Sequence, residues 1–363
     1  MPPVTSHPKS PRRRLLTAGA IAVALAVPAL PAAAAPGSTR HQHSAAAAAA
    51  AARARVADGW LARQLVDGSH FESSFGDQTF PDQGLTIDAI LAFSAGKVAD
   101  RRGRAALAWL IQPDILAGYV GDGTDESYSG AHGKAALALQ VRGANPRNVS
   151  GRDLIAELRA LQAPSGRLID KSAFGDFSNA FGQSLGVVAL KRAGAPSSAA
   201  ARYLAGQVCP DGGVPIQCAQ TTCSSSVDAT AIAVQAFHAT GRETAARRAV
   251  AWLAGQQNAD GGFGSGSTNA NSTGLAAAAL AIEDREPAAR RAVRALTRLQ
   301  QGCTAPVADR GAIAFDATGF DPATSTRATT QAVLGLAGAD LSTLTAAGSG
   351  RRIPVLSCPA AAR

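Results

Sequence analysis

Aromatic side chains are scarce in this chain: they make up 5% of 363 residues, with three tryptophans and three tyrosines. Charged residues are few as well, at 17%. The arginines are scattered, as at Arg53, Arg55, Arg242, Arg247 and Arg248, and no basic stripe with interleaved aromatics occurs. The formal charge of +9 therefore does not point to nucleic acid. Part of it lies in Lys9, Arg12, Arg13 and Arg14, in a segment expected to be removed. There is no Cys-x-x-Cys pair and no suitably spaced histidine, so no metal and no cofactor is expected. Gly68-Ser69-His70 lacks the pattern of a nucleophile elbow, and Gly264-Ser265-Gly266-Ser267 reads as a flexible loop.

Alanine and glycine dominate, and alanine is the strongest helix former. Arg12-Arg13-Arg14 precedes an apolar run from Leu15 to Leu30, followed by Ala32 to Ala35. Positive start, apolar centre and small-residue cleavage site predict a secretory signal peptide over residues 1–34, cut after Ala34, and a secreted protein. The run is short and interrupted by Pro28, so no membrane anchor is expected in the mature chain. Arg12-Arg13-Arg14-Leu15-Leu16 partly resembles a twin-arginine export signal, with Pro11 and Leu15 departing from it. Both export routes stay open. Residues 35–54 read as a low-complexity leader ending in an alanine run that extends the first helix.

Five cysteines fit export. A Cys303–Cys358 bridge would fasten the tail, residues 346–363, to the end of a helix. Of Cys209, Cys218 and Cys223 one must stay unpaired in a monomer, and Cys209 with Cys223 is the preferred pair. A monomer is expected.

The remainder, residues 55–345, is repetitive. Bulky anchors fall at Trp60, Trp109, Leu158, Tyr203, Trp252 and Leu296, spaced by 44 to 49 residues. Five have a glutamine four places on: Gln64, Gln162, Gln207, Gln256 and Gln300. Trp109 has Pro113 there instead, with Gln112 one place early. Each anchor closes a helix with one polar face. A glycine-rich polar loop follows, such as Asp211-Gly212-Gly213 or Asp260-Gly261-Gly262. A second helix then starts at Ser, Thr, Asn or Asp, is apolar nearly all round, and usually stops at glycine, as at Gly143, Gly194, Gly241 and Gly338. An open array would need polar end repeats. The first and last of these second helices are as apolar as the rest, which predicts closure into an all-α (α/α)6 toroid of six hairpins.

Gln256-Gln257-Asn258-Ala259-Asp260-Gly261-Gly262-Phe263-Gly264 resembles the repeat of squalene and terpene cyclases and protein prenyltransferases. The chain is more particularly similar to secreted actinobacterial-type proteins defined by that repeat. More distantly it looks like the toroid domain of the cobalamin carriers transcobalamin and intrinsic factor. The resemblance implies the six-hairpin toroid, and it implies that the repeated glutamines cap neighbouring helices. Its catalytic motifs are missing. There is neither D-x-D-D, which a cyclase needs to protonate an alkene, nor D-D-x-x-D, which holds magnesium on a diphosphate. Asp211, Cys218 and His238 do not reproduce the prenyltransferase zinc set, and Asp122 to Glu126 reads as a solvated loop. A glycosidase-type carboxylate pair among Asp82, Asp88 and Asp228 is conceivable, but helix capping accounts for Asp228.

A toroid of this connectivity gathers six inner-helix N-termini at one mouth, where free N–H groups favour polar ligand atoms. The candidate ligand contacts there are Asp82, Gln83, Asp88, Tyr128, His132, Asn179, Gln183, Asp228, Asn271, Thr326 and Gln331. Phe80, Phe181, Phe263 and Phe320 would supply apolar walls. Asp82-Gln83 looks least like a simple cap. The expected function is a secreted, non-catalytic binder of a small, partly apolar ligand, terpenoid, prenyl or corrinoid-like. The alternatives are a cyclase or prenyltransferase-like enzyme with a degenerate motif, and a cell-surface interaction module.

Overall fold

The structure, a computed structural model, describes residues 36–359. The expected export segment and its cleavage point lie outside these residues. Residues 44–359 belong to one compact unit. Outer and inner helices alternate along it. They are α1 (Pro36–Gln64) and α2 (Gln83–Gly96), then α3 (Asp100–Leu110) and, after a short extra helix α4 (Pro113–Val120), α5 (Ser129–Val141). Next come α6 (Leu154–Ala160) with α7 (Ala180–Arg192), and α8 (Ser198–Ala205) with α9 (Val227–Ala239). The last pairs are α10 (Glu243–Gly255) with α11 (Ala270–Ile282), and α12 (Glu286–Leu299) with α13 (Pro322–Ala337). Each inner helix packs on the next, and α13 packs back on α2, so the ring is closed. The fold is the expected all-α toroid. The irregular second repeat has a physical cause: Pro113 stops α3's continuation and serves as the first residue of α4, where its missing N–H costs nothing.

The two layers follow from their side chains. On α12, Ala288, Ala289, Ala292, Ala295, Leu296 and Leu299 are buried, while Arg291, Arg294 and Arg298 face water. On α11, Ala276 to Leu280 are all buried. Small residues let the inner helices approach backbone to backbone. A Cβ on Gly133 would lie 2.7 Å from the Gly186 nitrogen, and one on Gly335 would lie 2.6 Å from the Gly274 carbonyl oxygen. Gly133→Ala should therefore cost about 1–3 kcal/mol by overpacking, read as a lower midpoint in urea unfolding.

The repeated glutamines divide in role. Gln300 donates to the carbonyls of Arg53 and Gly311 at 3.1 Å, and Arg53 donates back to it, tying the last outer helix to the first. Gln162 accepts from the Ser197 hydroxyl at the start of α8. In the next link Gln257, not Gln256, makes the tie, donating to the Ala288 carbonyl at 2.9 Å. Gln64 and Gln207 instead turn back to Trp60 and Tyr203 of their own helices. Two of the loops contain short antiparallel ribbons, β1 (Glu72–Phe75) with β2 (Gln78–Pro81), and β3 (Val214–Pro215) with β4 (Ser225–Ser226). Nothing in the sequence reading anticipated them.

Both expected disulfides are present, Cys209–Cys223 and Cys303–Cys358, and Cys218 is a buried free thiol. The segment leading to Cys358 crosses the end of the ring where the inner helices finish. Its backbone bonds Gln235 of α9 at Ala339 and Leu341, and Arg192 of α7 at Leu341 and Leu344. It then meets the Val141 carbonyl of α5 through Ala346 and the Lys97 carbonyl after α2 through Gly350. Leu341 and Leu344 are buried among the inner helices. This strap lies across that end of the ring. Near it, Asp58 of α1 is wholly buried against Gly96, with no partner for either carboxyl oxygen. Burial pushes its pKa well above the usual carboxylate range.

Candidate functional site

The loops at the other end are fixed by one repeated bond. The fourth residue after the cap of an inner helix takes the N–H of an apolar loop residue. Thr86 takes Phe71 at 3.0 Å, Gln183 takes Leu168 at 2.8 Å, Thr230 takes Val214 at 2.8 Å and Thr273 takes Phe263 at 2.9 Å. Thr329, one turn further along α13, takes Ile313 at 2.9 Å. Gln183 also donates to the carbonyls of Gly166 and Ala200. His132 holds the same place on α5, with its ring between the Tyr128 carbonyl at 2.9 Å and Glu157 of α6 at 2.8 Å. The polar atoms of Gln183 and His132 are thus spent on the outer layer. This corrects their expected place among ligand contacts. Phe263 is likewise fully buried under its loop rather than lining the mouth.

Other candidates are caps. Asp82 accepts from Leu85 N–H at 2.7 Å, so it is an ordinary N-cap, contrary to expectation, and it also holds Ser73 and Arg327. Asn179 caps α7 through Gly182. Thr326 bonds back to Pro322 of its own helix, and Tyr128 donates to Glu126. Gln83 is half-buried beside Gly118 of α4. Asp228 is not the cap of α9; Ser226 is.

What remains forms the lumen. The outer layer covers the outward faces of the inner helices, so exposure left on them comes from the lumen or its mouth. On α2, α5 and α7 half-buried residues recur two and six places after the caps, one turn apart on a single face; on α9 and α11 the second place is half-buried and the sixth, Ile232 and Leu275, is nearly covered. One side is charged. Lys134 meets Asp88 at 2.7 Å, and Arg327 meets Asp82 at 2.9 Å and Asp88 at 3.8 Å. Lys134 also donates to the Gly84 carbonyl. Burial opposes its ammonium, but Asp88 more than offsets that and raises its pKa, so Lys134 is a fixed cation and not a base. Tyr119 of α4 is half-buried beside this group, and desolvation raises its phenol. The opposite side is apolar, with Phe181 and Leu185 of α7, Ile232 of α9 and Leu275 of α11. On α13, Gln331 stands ten places after the cap Asp321, one turn beyond Arg327. Above the apolar side, Asp228 and Asn271 each hold a buried Oδ1 without a partner. Burial raises the Asp228 pKa, partly countered by the Ser272 hydroxyl.

A cleft of about 270 Å³ opens where the two sides meet, walled by Tyr119, Tyr128, Lys134, Asn179, Phe181 and Leu185. The structure thus joins Asp82 and Asp88 through Arg327, while Gln331 lies one turn further along α13 and Asp228 and Asn271 lie near the starts of α9 and α11. Lys134, Arg327 and Tyr119 were missed by sequence reasoning. The signal was a lysine inside an otherwise apolar inner helix. Among the described residues no group of three His, Cys, Asp or Glu side chains is placed to hold a metal ion. No helix among them is long and apolar enough to cross a membrane.

No family profile matches the chain. No curated protein matches it either. Solved structures do. A protein from Actinoplanes is 17% identical, with a TM-score of 0.58 over 80% of this chain and 99% of its own. The type II terpene cyclase MstE from Scytonema, in a variant holding geranylgeranyl dihydroxybenzoate as substrate, is 13% identical with a TM-score of 0.60, over 81% of this chain and 98% of its own. A UGL variant with dGlcA-Glc-Rha-Glc is 12% identical with a TM-score of 0.53, over 79% and 95%. These likenesses establish the terpene-cyclase type of toroid as the fold. Proteins associated with such different molecules share it, so the fold alone does not choose a chemistry.

Proposed function

We propose that this is a secreted, non-catalytic binding protein whose lumen takes a small amphipathic ligand, terpenoid, prenyl or corrinoid-like. The observation that carries the reading is the division of the lumen: Lys134, Asp88 and Arg327 on one side, Phe181, Leu185, Ile232 and Leu275 on the other. Such a wall holds a polar head and an apolar body in fixed orientation. The unpartnered Oδ1 atoms of Asp228 and Asn271 favour a ligand that also offers a hydrogen-bond donor. The export-type N-terminus and the two disulfides support secretion. Geranylgeranyl diphosphate and a corrinoid are the probes to titrate by calorimetry. Phe181→Ala and Lys134→Met should each weaken the bound probe by about 1–3 kcal/mol. Both should stay folded, since Asp88 keeps Arg327 as a partner. Unchanged affinity in both variants would remove the lumen from the account.

A second reading, a cyclase-like enzyme, is favoured by Asp228, a carboxyl that burial biases toward its protonated form beside an apolar wall. It requires cyclised product from a linear polyprenyl substrate, with product lost in Asp228→Asn.

A further inference from the structure

Large apolar side chains exposed to solvent are concentrated on the mouth loops. Phe75 is 85% exposed, Phe174 82%, Phe177 67% and Phe80 50%. These four lie on mouth loops of consecutive hairpins of the ring: the β1–β2 ribbon precedes α2, and loop 171–178, which precedes α7, is joined to loop 121–128, which precedes α5. Both features are well tied. The ribbon is closed by its ladder and by the bond between Ser73 and Asp82. The two loops exchange backbone bonds between Ser127 and Lys171 at 2.7 and 2.8 Å, and Ala173 donates to Glu126 at 3.1 Å. Four phenylalanines held out in water on tied backbone of neighbouring mouth loops are apolar surface that a partner would cover.

The charges interleaved with them have one prevailing sign. Asp77 follows Phe75 in the ribbon turn, and Asp122, Asp125 and Glu126 stand beside the Phe174 loop. Asp122 accepts the N–H groups of Thr124, Asp125 and Glu126, which hold its pKa down to about 2, so it stays ionised. The cations of this sector are already engaged: Lys171 donates to the Thr124 carbonyl, Arg152 to the Gly121 carbonyl and Glu157, Arg167 to Asp176, and Arg327 to Asp82. An anionic lipid surface would be repelled by these carboxylates.

We propose that this sector of the rim docks a basic, amphipathic peptide segment of a partner protein, its apolar side chains on the phenylalanines and its lysines or arginines on Asp77, Asp122 and Asp125. The inference does not depend on what fills the lumen. The chain stays net positive even without Lys9, Arg12, Arg13 and Arg14, which repels cations, so binding of a cationic peptide must come from a local surface.

The probe is a fluorescein-labelled amphipathic peptide of lysine and leucine, read by anisotropy against the full-length secreted protein. Its glutamate–leucine counterpart is the control. The basic peptide should bind and the acidic one should not. Phe75→Ser combined with Phe174→Ser should weaken binding about tenfold or more. Asp77→Asn combined with Asp125→Asn should weaken it about fivefold at low salt, with the difference fading at high salt. All four positions are exposed, so circular dichroism should not change. Equal binding of both peptides, or binding indifferent to both double variants, would overturn the proposal. So would cosedimentation with phosphatidylglycerol vesicles that is lost on Phe75→Ser with Phe174→Ser, which would assign the surface to a membrane.

Discussion

Opening the Cys303–Cys358 bridge is expected to lower the unfolding free energy by about 4 kcal/mol, the chain-entropy value for a loop of this length. The bridge spans 55 residues, against 14 for Cys209–Cys223, whose loss should cost about 3 kcal/mol on the same reasoning. Cys358→Ser isolates the first effect in guanidinium unfolding. The ring should survive it, because Leu341 and Leu344 remain buried and Gln235 and Arg192 still hold the strap. Unaltered stability in Cys358→Ser would mean that packing alone fixes the strap and that the bridge adds nothing.

Asp58 is expected to make the protein less stable as pH rises. Below the ordinary carboxylate range both folded and unfolded chains hold its proton, and no stability is lost. Above that range the unfolded chain releases the proton while the folded chain, with its raised pKa, retains it. Stability then falls by up to about 1.4 kcal/mol per pH unit until the folded group titrates. Groups with lowered pKa, such as Asp100 and Glu157, act in the opposite sense. The measurement is therefore the difference between wild type and Asp58→Asn across pH 4 to 8. The variant should gain on wild type as pH rises, until the folded carboxyl itself titrates. Parallel melting curves for the two proteins at every pH would show that Asp58 is not a buried acid.

The architecture was legible because it is periodic. Bulky anchors and apolar inner helices repeat six times, and an apolar first and last inner helix leave closure as the way to bury both. The site was legible only in part. A polar residue near the start of an inner helix faces either the outer layer or the lumen, and the difference is a fraction of a turn. Gln183 and Asp228 differ by that fraction: one is the fourth residue after its cap, the other the second. With the caps unassigned, both belonged to one undivided list. Asp58 could have been found, since Ala54, Ala57, Asp58 and Leu61 fall on one helical face and all are buried. The β1–β2 ribbon had no comparable signal, because its residues are exposed on every side and no apolar alternation marks them.

The strap turns the lumen into a cup. With Leu341 and Leu344 packed at the far end, a ligand of the kind proposed would both enter and leave past the phenylalanine rim. Arrival and departure then share one transition state at one doorway. A partner lying across that doorway would slow both by the same factor. It would lengthen residence without changing affinity, and the protein would hold or release its cargo according to what is docked on the rim, through kinetics alone.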